Sequence, residues 1–428
     1  MSVVHTQILP NNIVLLTESD MAVKTAAIGF WFSAGSRYET AGCRGITHFV
    51  EHMLFKGTVQ RTAFSIACAF DSIGGYANAF TDREAVCTYC TVPAEHMLDA
   101  LDVLCDMTES SVFAAADVER ERAVIQSEII SSLDDAEECA LDAAAAAVWP
   151  HSGLAASVAG SADDVAALSR DALYAWYERF FVRGPLVVCV SGAADAERIA
   201  ERLALMGRHE PYAAPSFPVP QWKPGLLFEK APFQQEQLFA LFELPYPVDE
   251  RRYFAYAVFN ALAGDTMSSR LFQRLREQDG SCYTVYSFLN FYTGTGSWCA
   301  YASAPKKNTA QIAQGFFEEL RTLYTEAVET RMICAAEIEA AKEHVCGEEI
   351  ILCEEAEYRM KRLQRCFSFG FPFRTTDEAV SLIRSISADE LYAAVREILV
   401  FNRMAFIVYG PAPAQRTRVK IERLSAAT

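Results

Sequence analysis

The sequence predicts an α+β fold of two tandem homologous domains, each a mainly antiparallel sheet covered by helices. Three observations predict it. The 428 residues exceed one ordinary core and call for two or three domains at about 150 residues each. A run at residues 207–225 holds Pro211, Pro215, Pro218, Pro220 and Pro224, which makes it an extended connector between two halves. On both sides of it strand-like and helical patterns follow in the same order, without the βαβ regularity or glycine fingerprint of a nucleotide-binding sheet.

The expected domains are therefore residues 1–208 and 226–428, joined by a linker at 209–225. Taken in order, residues 23–32 form a central strand, and Thr47 caps a helix that runs to Lys56 and stops at Gly57. A strand at 84–93 leads into a helix through Leu98, Leu101, Val103 and Leu104. A helix spans residues 117–128 with acids in its first turn, the alanine-rich stretch 136–148 is helical, and 184–190 is a second central strand. In the second half a strand at 296–305 again leads into a helix, through Ile312, Phe316, Phe317, Leu320 and Leu323, which is how an old duplication reads.

Composition excludes several classes of function. Hydrophobic residues at 51% and charged residues at 22% are globular values. Against 38 basic residues stand 55 acidic ones, and the resulting charge of −17 repels nucleic acid and anionic membrane surfaces. The N-terminus, Met1-Ser2-Val3-Val4-His5, lacks the basic and apolar regions of a signal peptide, and no uncharged run is long enough to span a bilayer, so a cytoplasmic location is expected. Thirteen cysteines, an odd number, suit reduced thiols in a cytosol. Cys87 and Cys90 read CxxC within a strand-like run, where buried structural thiols are the simplest account.

The chemistry lies in His48-Phe49-Val50-Glu51-His52. At about 100° per residue His48, Glu51, His52 and Phe55 share one face of the helix, while Phe49, Val50, Met53 and Leu54 occupy the others. Histidines at i and i+4 can aim ring nitrogens at one ion, and the glutamate beside the second can take a proton from water held there. A catalytic zinc needs three protein ligands and an open position, so the third must come from elsewhere. The helix at 117–128 offers Glu121 and Glu128, about 10 Å apart along its axis and thus not both ligands of one ion. Local chemistry favours Glu128, set among Ile125, Ile129 and Ile130, without deciding the choice. Glu121, between two arginines, could be no more than a solvated ion pair.

With its glutamate 76 positions beyond His52, this reversed motif resembles the inverzincins: pitrilysin, insulin-degrading enzyme and mitochondrial processing peptidase. Gly35-Ser36-Arg37-Tyr38-Glu39 before the motif, Phe55-Lys56-Gly57-Thr58 after it and Glu121-Arg122 further on carry the likeness, which spans most of the chain. It implies one zinc ion per chain held by His48, His52 and Glu128, with Glu51 as general base and Glu121 supporting the site from behind. The segment from Gly74 to Thr81, and within it Asn78, Ala79 and Phe80, resembles the family's strand that pairs with an extended peptide substrate. Arg276 and Tyr283 resemble an arginine and tyrosine that bind substrate carbonyls, and Tyr283 would also donate to the tetrahedral oxyanion.

Because the family's clamshell needs four such domains and this chain supplies two, the resemblance implies a dimer in which Arg276 and Tyr283 of one subunit face the zinc of the other. A chain bearing both motifs favours a homodimer over a heterodimer. Residues 262–267 also lack the long glycine-rich insertion of the processing peptidase's noncatalytic subunit. The expected activity is zinc-dependent endopeptidase cleavage of short unfolded peptides. Maturation of one dedicated precursor, or a noncatalytic structural subunit, are the competing readings.

Overall fold

The computed structural model describes residues 4–427, so Met1-Ser2-Val3 of the N-terminal run lie outside the described residues. The first half runs β1 (Val4–Ile8), β2 (Val14–Ser19), β3 (Thr25–Phe32), α1 (Ile46–Leu54), α2 (Ala63–Asp71), β4 (Tyr76–Thr81), β5 (Val86–Pro93), α3 (Met97–Ser110), α4 (Ala115–Ser132), α5 (Ala136–Val148), α6 (Ala162–Ala167), α7 (Arg170–Tyr177), β6 (Leu186–Gly192) and α8 (Ala196–Leu203). The second runs β7 (Gly225–Lys230), β8 (Gln235–Glu243), α9 (Glu250–Asn260), β9 (Thr284–Tyr292), β10 (Thr295–Pro305), α10 (Thr309–Tyr324), α11 (Ala335–Leu352), α12 (Ala356–Phe369), α13 (Thr376–Arg384), α14 (Ala388–Ile398), β11 (Ala405–Gly410) and α15 (Gln415–Ala427). No helix among the described residues is long and apolar enough to cross a membrane.

The first sheet has six strands in the order β1-β2-β6-β3-β5-β4, and the second has five in the order β7-β11-β8-β10-β9. In each, one pair is parallel, β2 with β6 and β7 with β11, and every other neighbouring pair is antiparallel. Leaving β1 aside, the two sheets match strand for strand in order and sense. The helices repeat as well: α3 and α10 each follow the second strand of a hairpin through a short 3₁₀ turn, and α4 and α11 are both 18 residues long. The chain is thus a two-domain α+β protein built on one repeated plan.

Packing divides the described chain into two compact units that are not contiguous in sequence. One comprises residues up to 132, 156–215 and 351–375; the other comprises 133–155, 216–350 and those from 376 onward. The two short exchanged segments carry α5 and α12, which occupy equivalent places in the repeated plan. The division departs from contiguous domains at 1–208 and 226–428, and the reason is that each sheet is apolar on both faces. Strands such as β6, buried along its whole length, need helices above and below.

On the first sheet Ala356, Met360 and Leu363 of α12 cover Val14, Leu16, Ala27, Cys87, Val187 and Cys189. On the second, Ala140, Ala144, Ala145 and Val148 of α5 cover Phe239, Leu241, Cys299, Tyr301 and Ile407. Cys87 and Cys90 fall on opposite faces of β5, one beneath α12 and the other in the main core, so the CxxC spacing cannot make a chelate.

Candidate metal centre

The helix bearing the histidines is fixed at its N-terminus by a residue outside it. α1 begins at Ile46, and its N-cap is Gly45 at φ 77°, a left-handed conformation that favours glycine. A Cβ there would also lie 2.3 Å from the Ala159 carbonyl oxygen. The Gly45 and Thr47 amides donate to the two carboxylate oxygens of Glu39, each at 2.9 Å. Glu39 therefore does the capping expected of Thr47, which is instead buried inside the first turn. The helix ends at Leu54, short of Lys56. Its Phe49, Val50, Met53 and Leu54 enter the core, which leaves His48, Glu51 and His52 only partly buried on the remaining face.

α4 presents the second set of groups. Val118, Glu121, Ile125 and Ile129 form its buried stripe, so Glu121 is an inward residue and no solvated ion pair. The arginines beside it pair elsewhere, Arg120 with Asp117 and Arg122 with Glu119, and the cation that meets Glu121 is Lys56, whose Nζ lies 2.8 Å from Oε1. Arg122 also lies over the Phe49 ring, 5.3 Å from its centroid. Glu128 stands one position off the buried stripe, and its side chain is 52% exposed. Its isoleucine neighbours do not enclose it, because Ile130 points to solvent while Ile125 and Ile129 point to the core.

His48, His52 and Glu128 converge, each offering a ligand atom within 4.8 Å of the others. Glu128 lies 3.9 Å through Oε1 from His48 Nε2 and 3.5 Å through Oε2 from His52 Nε2. On its other side His52 meets Glu121, with Nδ1 3.3 Å from Oε2. A carboxylate there accepts a hydrogen bond from Nδ1–H and so leaves the Nε2 lone pair for a metal. Burial and the neighbouring His52 push the His48 imidazole down to about 4, so it is neutral at neutral pH, and its Nδ1 is buried without a hydrogen-bond partner. Two imidazoles, one accessible carboxylate and a second carboxylate behind them make a donor set that fits zinc.

Glu51 is turned toward β4. The Thr81 hydroxyl, at the end of that strand, donates to Glu51 Oε2, while burial pushes the Glu51 carboxyl above its ordinary value. Among the described residues β4 is the last strand of its sheet and pairs only with β5. Ala79 and Thr81 share one of its faces, whereas Phe80 faces the other way and packs against Trp31, Tyr89 and Lys361. The Ala79 amide donates to the Asn78 side-chain oxygen at 2.8 Å. In the second unit, Arg276 lies with its guanidinium 4.7 Å from the centre of the Tyr283 ring and 4.8 Å from that of Phe272, and Tyr283 is 79% exposed.

Three contributors were not singled out from sequence: Glu39, Lys56 and Thr81. Each lies inside a segment quoted above for its resemblance, but the contact that gives it a role spans from 6 to 65 positions. α9, the counterpart of α1, contains no histidine.

The repeated α+β plan and the reversed histidine motif define a class. Residues 14–162 match the model of the insulinase family (peptidase family M16), and residues 167–344 match that of the peptidase M16 inactive domain. The chain belongs to family M16. Among its relatives, an uncharacterized zinc protease of Streptomyces coelicolor is 30% identical over 94% of this chain and 88% of its own. Another, of Mycobacterium leprae, is 31% identical over 96% and 92%, and YmxG of Bacillus subtilis is 29% identical over 91% and 94%. In fold, the chain is similar to a peptidase M16 inactive domain from Pseudomonas fluorescens (TM-score 0.85, 17% identity, 96% of this chain and 99% of that one). It is also similar to a protease from Helicobacter pylori (0.83, 14%, 96% and 100%).

Proposed function

We propose that this chain is a zinc-dependent endopeptidase acting on short unfolded peptides, with the site closed by a second copy of the chain. The observation that carries the reading is the convergence of His48, His52 and Glu128 beside Glu51, in a chain whose relatives are named zinc proteases. Bound by those three side chains, zinc would acidify water and polarise the scissile carbonyl.

Glu51 moves the proton. Since Oε2 already accepts the Thr81 hydroxyl, Oε1 takes the proton from the attacking water and returns it to the departing amine. The raised affinity of this buried carboxyl for a proton suits both halves of that transfer. Glu121 holds the His52 ring in its ligand tautomer. The open edge of β4 at Asn78, Ala79 and Phe80 pairs with the extended peptide backbone, and for this the Asn78 side chain must release the Ala79 amide. Arg276 and the exposed Tyr283 of the partner subunit complete the site by binding substrate carbonyls.

The test is Glu51→Gln, which should keep its zinc and lose peptide turnover; persistent cleavage would reject Glu51 as the base. Mixing this variant with Tyr283→Phe tests closure by a second copy. Recovered activity is expected, because both defects then fall in one site of the mixed dimer, and no recovery would reject the shared site.

A further inference from the structure

The repeated plan places a second cluster of ligand groups in the C-terminal unit. Asp265, His344 and Glu348 each offer a ligand atom within 4.8 Å of the others. His344 and Glu348 stand at i and i+4 on α11, with Nε2 and Oε1 3.4 Å apart. Asp265 ends the wide helical turn, residues 261–265, that prolongs α9. We propose that these three side chains form a second divalent-cation site, selective for a first-row transition ion of the Zn²⁺ or Mn²⁺ type.

Its place in the fold argues for this. α11 is the counterpart of α4, and in these helices of equal length Glu348 occupies the same position as the candidate ligand Glu128. Even their exposures agree, at 51% and 52% of the side chain. α9 with its prolonging turn is the counterpart of α1. In the N-terminal unit the i, i+4 pair sits on α1 and the single ligand on α4; in the C-terminal unit the pair sits on α11 and the single ligand at the end of the α9 turn. The same two helical elements converge on one point, with the ligands redistributed between them.

Asp265 is also held from behind, much as Glu121 holds His52. The buried Asn260 accepts hydrogen bonds on Oδ1 from Trp298 Nε1 at 2.8 Å and from Ser287 Oγ at 2.7 Å. That fixes its carboxamide with the NH₂ group turned away from those donors, and its side chain hydrogen-bonds Asp265. An imidazole with two carboxylates suits Zn²⁺ or Mn²⁺, whereas the nitrogen ligand disfavours Mg²⁺ and Ca²⁺. α9 has no counterpart of the histidine motif of α1, and the ion would brace the α9 turn against α11.

Cobalt(II) chloride titrated into the metal-free full-length protein, followed by visible absorption and metal analysis, tests the site. Two equivalents are expected for the wild type and one for His344→Ala. His48→Ala/His52→Ala should also hold one, and combining the changes should leave none. Asp265→Asn should weaken the second equivalent by at least about tenfold, and millimolar Mg²⁺ should not displace it. Circular dichroism of His344→Ala and Asp265→Asn checks that these exposed or half-exposed positions leave the fold intact. The proposal is overturned if His344→Ala does not lower the stoichiometry, or if the His344-dependent equivalent brings a near-ultraviolet thiolate-to-cobalt band. Unchanged stoichiometry in His48→Ala/His52→Ala alone would instead count against the N-terminal centre.

Discussion

At the scale of single residues, the most informative contacts are those that position the metal-facing groups. Glu121→Gln keeps the shape of the His52 contact but removes the charge that holds the Nδ1 proton, and should weaken zinc about 10- to 100-fold in a chelator competition. Thr81→Val should leave metal content unchanged and lower kcat about tenfold with little effect on KM, since it removes only the hydrogen bond that orients Glu51. A loss of zinc in that variant would show that Thr81 serves the ion and not the base.

A third residue, outside that cluster, gives a pH dependence of stability. His209 donates through Nδ1 to the Gly184 carbonyl at 2.9 Å, and burial holds its pKa below the ordinary 6.5. The fold favours the neutral ring, so its contribution is full above about pH 6.5 and is lost as the pH falls from there toward the folded value, because the unfolded chain takes up the proton first. Urea midpoints of wild type and His209→Asn should therefore converge between pH 8 and pH 5. A constant gap would exclude the titration.

At the scale of elements, α1 depends on contacts at its first turn. Glu39→Ala leaves two buried amides without an acceptor and should cost about 2–4 kcal/mol in urea unfolding. Gly45→Ala forces a left-handed residue against the Ala159 carbonyl and should destabilise by more than about 1 kcal/mol. The reversed motif and its helix were legible in the sequence because the i, i+4 spacing and the apolar face are local. The cap was not, because Thr47 has the right chemistry at nearly the right place, and only the chain's return through Glu39 takes the amides from it. Glu128 lies beside the two histidines, but the local reason for preferring it fails: its isoleucine neighbours describe α4 in one dimension, and the helix turns it out of their stripe. The edge position of β4 follows from strand order, which no local pattern reveals.

At the scale of the whole molecule, the division into halves and the repeated order of elements could be read from prolines and periodicity. The exchange of α5 and α12 could not, since an amphipathic helix records that it has an apolar face and not which sheet it covers. The exchange has a direct test. A protease site placed in the stretch without helix or strand near Pro215 and then cut should leave two fragments that still elute together from a sizing column, because each retains a helix belonging to the other's sheet. The fragment of residues 1–208 made alone should be insoluble, with the α12 face of its sheet uncovered. Clean separation of the cut fragments would refute the interlock.

In a plain tandem duplication either copy can be dropped, because each is a finished object. Here each copy has surrendered the piece that would finish it and holds its sibling's in return. The half that carries the histidine motif cannot shed the half that lacks it without uncovering a face of its own sheet. The exchanged helices thus make neither half dispensable, although only one of them carries the histidine motif.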